Sequence, residues 1–244
     1  MSEKGHAKNL ENLKKERDFA LSWGAAYAPT NPVLLLTNLN AVIAAAEAVA
    51  DDLQAARAPY RNATAAAEEA FEPLSKRVTR VMNALAVSGV SANVVEDART
   101  YARKIQGKRA TPAAVDDPAT PDVDESQQSH SASQMSRTQR IENLDALVLT
   151  LETQTTYNPN EPELKLEALQ DLSADLKTKT QAAQTAFVAF SNALGDRDEI
   201  YYADATGVVT IGNLFKKSVQ AAFGSDSVEY NQVKGLEFKK RLRQ

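Results

Sequence analysis

Two stretches, Tyr27-Ala-Pro-Thr-Asn-Pro-Val-Leu-Leu-Leu36 and Tyr157-Asn-Pro-Asn-Glu-Pro-Glu-Leu-Lys-Leu166, share the pattern Tyr-x-Pro-x-x-Pro-x-Leu-x-Leu. Proline is tolerated at the first position of a helix, where its missing N–H costs nothing and its fixed φ already suits the turn. A tyrosine with two spaced prolines is also the composition of a polyproline-II ligand. Here the apolar pattern resumes within two residues of Pro32 and Pro162, which favours a rigid corner between two helices. Tyr27, Pro29, Pro32, Tyr157, Pro159 and Pro162 are therefore read as one structural corner written twice.

Other landmarks repeat around the corners. Leu10-Glu-Asn-Leu13 precedes the first and Ile141-Glu-Asn-Leu144 the second. Beyond them a single offset of 130 positions pairs Leu34, Leu36 and Leu39 with Leu164, Leu166 and Leu169, and Glu68-Glu69 with Asp198-Glu199. The same offset pairs Val78-x-x-Val81-x-Asn83-x-Leu85 with Val208-x-x-Ile211-x-Asn213-x-Phe215. Ordered landmarks at one offset predict an internal duplication.

Each copy reads as helices. The chain is rich in alanine, the best helix former, while aromatic residues make up only 6% of it, which disfavours sheet. Leu166, Leu169, Leu172, Leu176, Ala183, Phe187, Phe190 and Leu194 recur at helical steps, predicting one stripe on a long helix. Asn192-Ala-Leu-Gly195-Asp196 reads as its C-terminal glycine followed by an acidic cap. In the first copy the equivalent helix begins at Pro32 or Val33, and Pro59 is expected to kink or end it. Shorter helices are predicted over about 8–23 and 137–155 before the corners, and over about 73–86 and 92–105 after the first.

Between the copies, residues 110–136 hold Pro112, Pro118, Pro121 and five acids, with no Lys, Arg or aromatic residue. Such a segment buries too little apolar surface to offset its ordering entropy and reads as a disordered acidic linker. Subtracting its acids takes the net charge from −4 to +1, so the remainder is nearly neutral and neither a polyanion binder nor a highly acidic protein is indicated. The expected architecture is an all-α, internally duplicated antiparallel helical bundle. It has a helical unit over 1–109, the linker over 110–136, and a related unit over 137–244 packed against the first, with two independent bundles as the alternative.

Chemistry-bearing residues are scarce. With no cysteine, thiolate nucleophiles, disulfides and zinc–thiolate sites are excluded. The two histidines, His6 and His130, lie near the first residue and in the linker, and neither is placed to serve a preorganised site, which argues against catalytic triads and His-ligated metals. The acids Glu68, Glu69, Asp198 and Glu199 are read as a solvated face, and a paired-carboxylate site is the lesser reading. The basic ends, Arg103-Lys-Ile-Gln-Gly-Lys-Arg109 and Phe238-Lys-Lys-Arg-Leu-Arg243, lack interleaved aromatics, so no nucleic-acid partner is expected. Trp23 has no aromatic counterpart in the second copy; it reads first as a packed anchor and, if exposed, as a partner surface.

The first residues lack the apolar core of a signal peptide, and the most apolar run, 41–50, is far shorter than a bilayer span. A cytoplasmic protein is expected, without catalytic, cofactor or metal residues. The favoured reading is a non-enzymatic helical interaction or scaffolding protein that binds another protein or itself. Two other readings stand beside it: a membrane-active helical bundle, and a small-molecule binder or enzyme with a cavity between the long helices.

Overall fold

A computed structural model describes residues 4–108 and 135–240. Every regular element among them is a helix: α1 (Lys4–Trp23), α2 (Leu36–Phe71), α3 (Leu74–Val87), α4 (Ala92–Gln106), α5 (Arg137–Glu152), α6 (Leu166–Tyr202), α7 (Val208–Phe223) and α8 (Val228–Val233). The segment expected to be a disordered linker lies almost wholly outside the described residues, as does His130.

Both corners have one construction. A single 3-10 turn, Pro32–Leu34 or Pro162–Leu164, follows the second proline, then one extended residue, Leu35 or Lys165, and then the long helix. The long helices thus begin four residues after the proline rather than at it. The tyrosine closes the corner: Tyr27 Oη donates to the Leu34 carbonyl at 2.7 Å and Tyr157 Oη to the Leu164 carbonyl at 2.8 Å. Each hydroxyl satisfies a carbonyl that a 3-10 turn leaves without a ladder partner.

The long helices do not break where the sequence suggests. Pro59 lies inside α2, and α6 runs through Gly195 to Tyr202. A helix-interior proline costs about 3 kcal/mol and a glycine about 1 kcal/mol relative to alanine. Packing beyond Gly195 outweighs its cost, and packing beyond Pro59 offsets part of the cost there. Tyr60 stacks on Phe190 with ring centroids 5.2 Å apart, and the Tyr201 and Tyr202 side chains that follow Gly195 are buried in a core. A buried side chain of that size contributes about 1.5–3 kcal/mol.

Continuity of these helices decides the packing units. A 36-residue helix is roughly 54 Å long, so it carries the chain away from the helix that precedes it. The compact units are accordingly Met1–Tyr60 with Ala186–Gln244, and Arg61–Thr185, in place of the 1–109 and 137–244 halves. Each combines the front of one sequence half with the back of the other.

In the first unit α1 packs on α7 and α8, and the Pro32–Leu34 turn packs on α7. Its core is Leu13, Ala20, Leu34, Leu39, Ile43, Ala46, Tyr201, Tyr202, Val208, Ile211, Phe215, Val219 and Val233. In the second unit α4 packs on both α3 and α5, and the Pro162–Leu164 turn packs on α3. The α3 stripe Leu74, Val78, Val81, Leu85 shares one core with Ala98, Ala102 and Ile105 of α4 and Ile141, Leu144, Leu147 and Leu151 of α5. Gly107, with φ of 66°, ends α4 in the left-handed conformation that glycine adopts without steric cost. Arg140 of α5 donates to the Ile105 carbonyl at 3.0 Å and lies over the Phe71 ring.

Candidate functional site

Helix α1 is unusual in what it turns inward. Asn9, Asn12 and Glu16 follow one another at steps of three and four, and all are buried: the asparagines are 2% exposed and Glu16 is 0% exposed. Aligning Leu10-Glu-Asn-Leu13 with Ile141-Glu-Asn-Leu144 puts Leu147 at the place of Glu16 and Leu151 at that of Ala20. A carboxylic acid thus sits at the position that this alignment pairs with a core leucine. Neither Glu16 oxygen has a hydrogen-bond partner, and burial raises its pKa from 4.5 to about 9 against the opposing pull of the Lys216 charge. It is a neutral acid at pH 7. Burial, with the nearby Glu16 as a second cause, also pushes the Tyr27 hydroxyl upward. The legible sign was an acid at 16 on the stripe 13, 16, 20.

The two asparagines hold an extended segment, 236–240, against α1. Asn9 donates to the Lys239 carbonyl at 2.9 Å and accepts from the Lys239 N–H at 3.1 Å, and Asn12 donates to the Glu237 carbonyl at 2.8 Å. From α7, Lys216 donates to the Leu236 carbonyl at 2.7 Å and places its ammonium 5.3 Å from the centre of the Phe238 ring. That ring lies on Gly212, where a Cβ would come within 2.3 Å of it. The glycine that weakens α7 in propensity thereby makes the seat for an aromatic ring. A cleft of about 370 Å³ runs alongside, lined by Lys8, Asn9, Asn12 and Lys15 on one wall and by the segment on the other.

His6 is placed differently from the sequence expectation. It is largely buried in the first unit, with Nε2 2.9 Å from the Tyr202 hydroxyl and 3.7 Å from the Asp198 carboxylate, and its ring meets Tyr201 edge-on at 5.1 Å. Arg197 holds Asp198 with two N–H groups at 3.0 and 2.6 Å. Burial raises the Tyr201 hydroxyl to about 12, with Arg197 opposing. A cavity of about 310 Å³ lies beside this group, lined by His6, Leu10, Leu53, Gln54, Arg197 and Tyr201 among others. Spacing hid the cluster, because 192 residues separate His6 from Asp198 in the numbering.

The remaining sequence candidates are distributed as follows. Glu68 is exposed and faces Arg137 at 3.5 Å; Glu69 is exposed. Glu199 lines a separate surface recess with Asp52 and Asp196. The first pair belongs to one unit and the second to the other. Trp23 is half-buried among Phe19, Tyr27, Phe215 and Phe223, and its Nε1–H donates to Gln232 Oε1 at 3.1 Å. Pro29 and Pro159 are half-buried and Pro32 and Pro162 exposed, while Tyr157 is more deeply buried than Tyr27. Arg103 pairs with Glu96 at 3.3 Å, Lys239 with Glu237 at 2.8 Å, and Lys240 lies 3.6 Å from Asp204. Arg109 and the basic residues beyond 240 lie outside the described residues. Among the described residues no group of three acids or histidines is arranged to hold a metal ion, and no helix is long and apolar enough to cross a membrane.

Comparison with protein-family models, with curated proteins and with solved structures finds no match.

Proposed function

We propose that the chain is an internally duplicated helical interaction protein without catalytic activity, which docks a protein on its long helices. The observation that carries this is an exposed aromatic group in the first unit. Phe187 is 51% exposed and packs against Tyr60 at 5.7 Å, Val188 beside it is 50% exposed, and Tyr60 stacks on Phe190. The apolar stripe of α6 thus comes to the surface at its middle, where large aromatic side chains are the commonest anchors of protein–protein contacts. The duplication is supported by the two tyrosine corners and by buried equivalents at the 130 offset: Phe71 and Tyr201, Val78 and Val208, Val81 and Ile211, Leu85 and Phe215.

The test is recovery of the tagged protein from its native extract. A specific companion is expected with the wild type and not with Phe187→Asp, which should change stability by under about 1 kcal/mol because the site is exposed. A wild-type protein that is monomeric by light scattering and brings down no companion refutes the reading.

A second reading is favoured by the cavity beside His6 and Tyr201, whose mixed apolar and polar walls suit a small molecule. Its test is a thermal-shift screen of small molecules on wild type and Leu53→Trp, a change that fills the cavity. Shifts lost in the variant support the reading, and a screen without shifts removes it.

A further inference from the structure

The segment 236–240 is bound to α1 and α7 as a peptide is bound to a groove. Four hydrogen bonds from three side chains reach only its backbone, at Leu236, Glu237 and Lys239. Along it Leu236 and Phe238 are half-buried while Glu237, Lys239 and Lys240 are exposed, the alternation of an extended strand laid on a surface. Backbone contacts carry no sequence requirement, and a single pocket supplies one: the Phe238 ring on Gly212 beneath the Lys216 ammonium.

Polar readers of this kind are a costly way to pack a segment. A carboxamide buried without a hydrogen bond costs about 1–3 kcal/mol, so the burial of Asn9 and Asn12 is offset only while a backbone lies against them. The corresponding residues of α5 are used otherwise. Asn143 donates at 2.7 Å to Gln139 of its own helix, and Arg140 donates to the end of α4. In α1, by contrast, the pair is turned onto an extended chain.

The resident segment also leaves the groove partly unfilled. Asn12 Oδ1 is buried without a hydrogen-bond partner, and the adjoining cleft of about 370 Å³ is open. A segment offering one more donor at that point would fit better than the one in place. The resident half-buries only two side chains, so its release lies within the range of local opening.

We propose that the α1–α7 groove is a peptide-binding site whose ligand is an extended segment carrying an aromatic side chain, and that residues 236–240 are its displaceable internal occupant. The inference rests on the interaction reading above and gives it a second surface with a stated partner chemistry. The ring seat takes Phe, Tyr or Trp, since each offers a π face to Lys216. Backbone pairing with Asn9 and Asn12 fixes direction and register. The occupant competes in cis, so affinity in trans rises when it is weakened.

The test uses the full chain and a dye-labelled peptide of residues 234–240, followed by fluorescence anisotropy. Phe238→Ala in the protein weakens the resident, and this variant should bind the peptide at least about tenfold more tightly than wild type. Adding Asn9→Ala should remove binding, as should replacing the peptide's own phenylalanine by alanine. Gly212→Ala in the Phe238→Ala background keeps folding testable, because alanine is the better helix former while its Cβ blocks the ring seat; it too should lose at least about tenfold. A Phe238→Ala chain with a wild-type helical spectrum that does not bind at about 1 mM peptide overturns the proposal. So does binding that survives both Asn9→Ala and Gly212→Ala. If the peptide fails while the extract still yields a companion that Phe187→Asp releases, the groove falls and the interaction reading stands. If the peptide binds and the aromatic patch recovers no companion, the groove stands and docking on the long helices falls.

Discussion

Glu16 gives the sharpest test of the first unit's core. Its pKa is 4.5 unperturbed and about 9 in the folded protein, with burial the larger cause and Lys216 opposing. Above its unfolded pKa the unfolded chain has released this proton while the folded chain still holds it, so folding takes up a proton between pH 4.5 and about 9. The stability linked to Glu16 is therefore greatest below pH 4.5 and declines as pH rises toward 9. Each pH unit is equivalent to about 1.4 kcal/mol, so by pH 7 roughly 3 kcal/mol is lost relative to acid conditions. Glu16→Gln keeps the shape and removes the titration. Glu16→Leu introduces the residue type found at the aligned position Leu147 and should exceed wild type by about 3 kcal/mol at pH 7. Urea unfolding followed by the emission of Trp23, the chain's single tryptophan and a member of the same unit, reads the effect. The difference between wild type and Glu16→Gln should change by about 1.4 kcal/mol per unit from about pH 5.5 to 8.5, since the two chains differ only at this group. A difference that stays flat across that range refutes a buried neutral acid at this position.

The helix that runs through Pro59 and the one that runs through Gly195 make opposite claims to a broken helix. Pro59→Ala should stabilise by up to about 3 kcal/mol and Gly195→Ala by about 1 kcal/mol, both by urea unfolding, since nothing lies within 4 Å of a Cβ at 195; a loss in either would mean that the chain turns there. Tyr157→Phe deletes the hydroxyl that closes the second corner and should cost about 1 kcal/mol, read as faster amide exchange in α5 and at the start of α6, whereas unchanged exchange would leave the corner bond without structural weight.

Much of the fold was legible because helical signals are local. The α3 stripe at Val78, Val81 and Leu85 and the α5 start at Arg137 each depend on neighbours within a turn or two, and the structure places them as the pattern predicts. The long-helix stripe held through Ala183 and failed at Phe187, which has helical spacing but is half exposed. Periodicity identifies which side chains share a face and cannot say where that face leaves the core. The site was less legible. Asn9 and Asn12 look like ordinary polar positions until the segment 236–240, more than 220 residues away, lies against them.

The sequence by itself determined an all-helical chain with two tyrosine–proline corners and two long helices behind them, because propensity, proline geometry and apolar period act over a few residues. Only the tertiary structure decided which pieces pack together. Burial of Tyr201 and Tyr202 beyond Gly195 outweighs the local preference to stop, and stacking of Tyr60 on Phe190 offsets part of the cost at Pro59. Two unbroken helices of 36 and 37 residues then deliver the back of each sequence half to the front of the other. That exchange brings α7 against α1, and with it Gly212, Lys216 and Phe238 to Asn9 and Asn12. The groove therefore exists in neither half of the sequence alone.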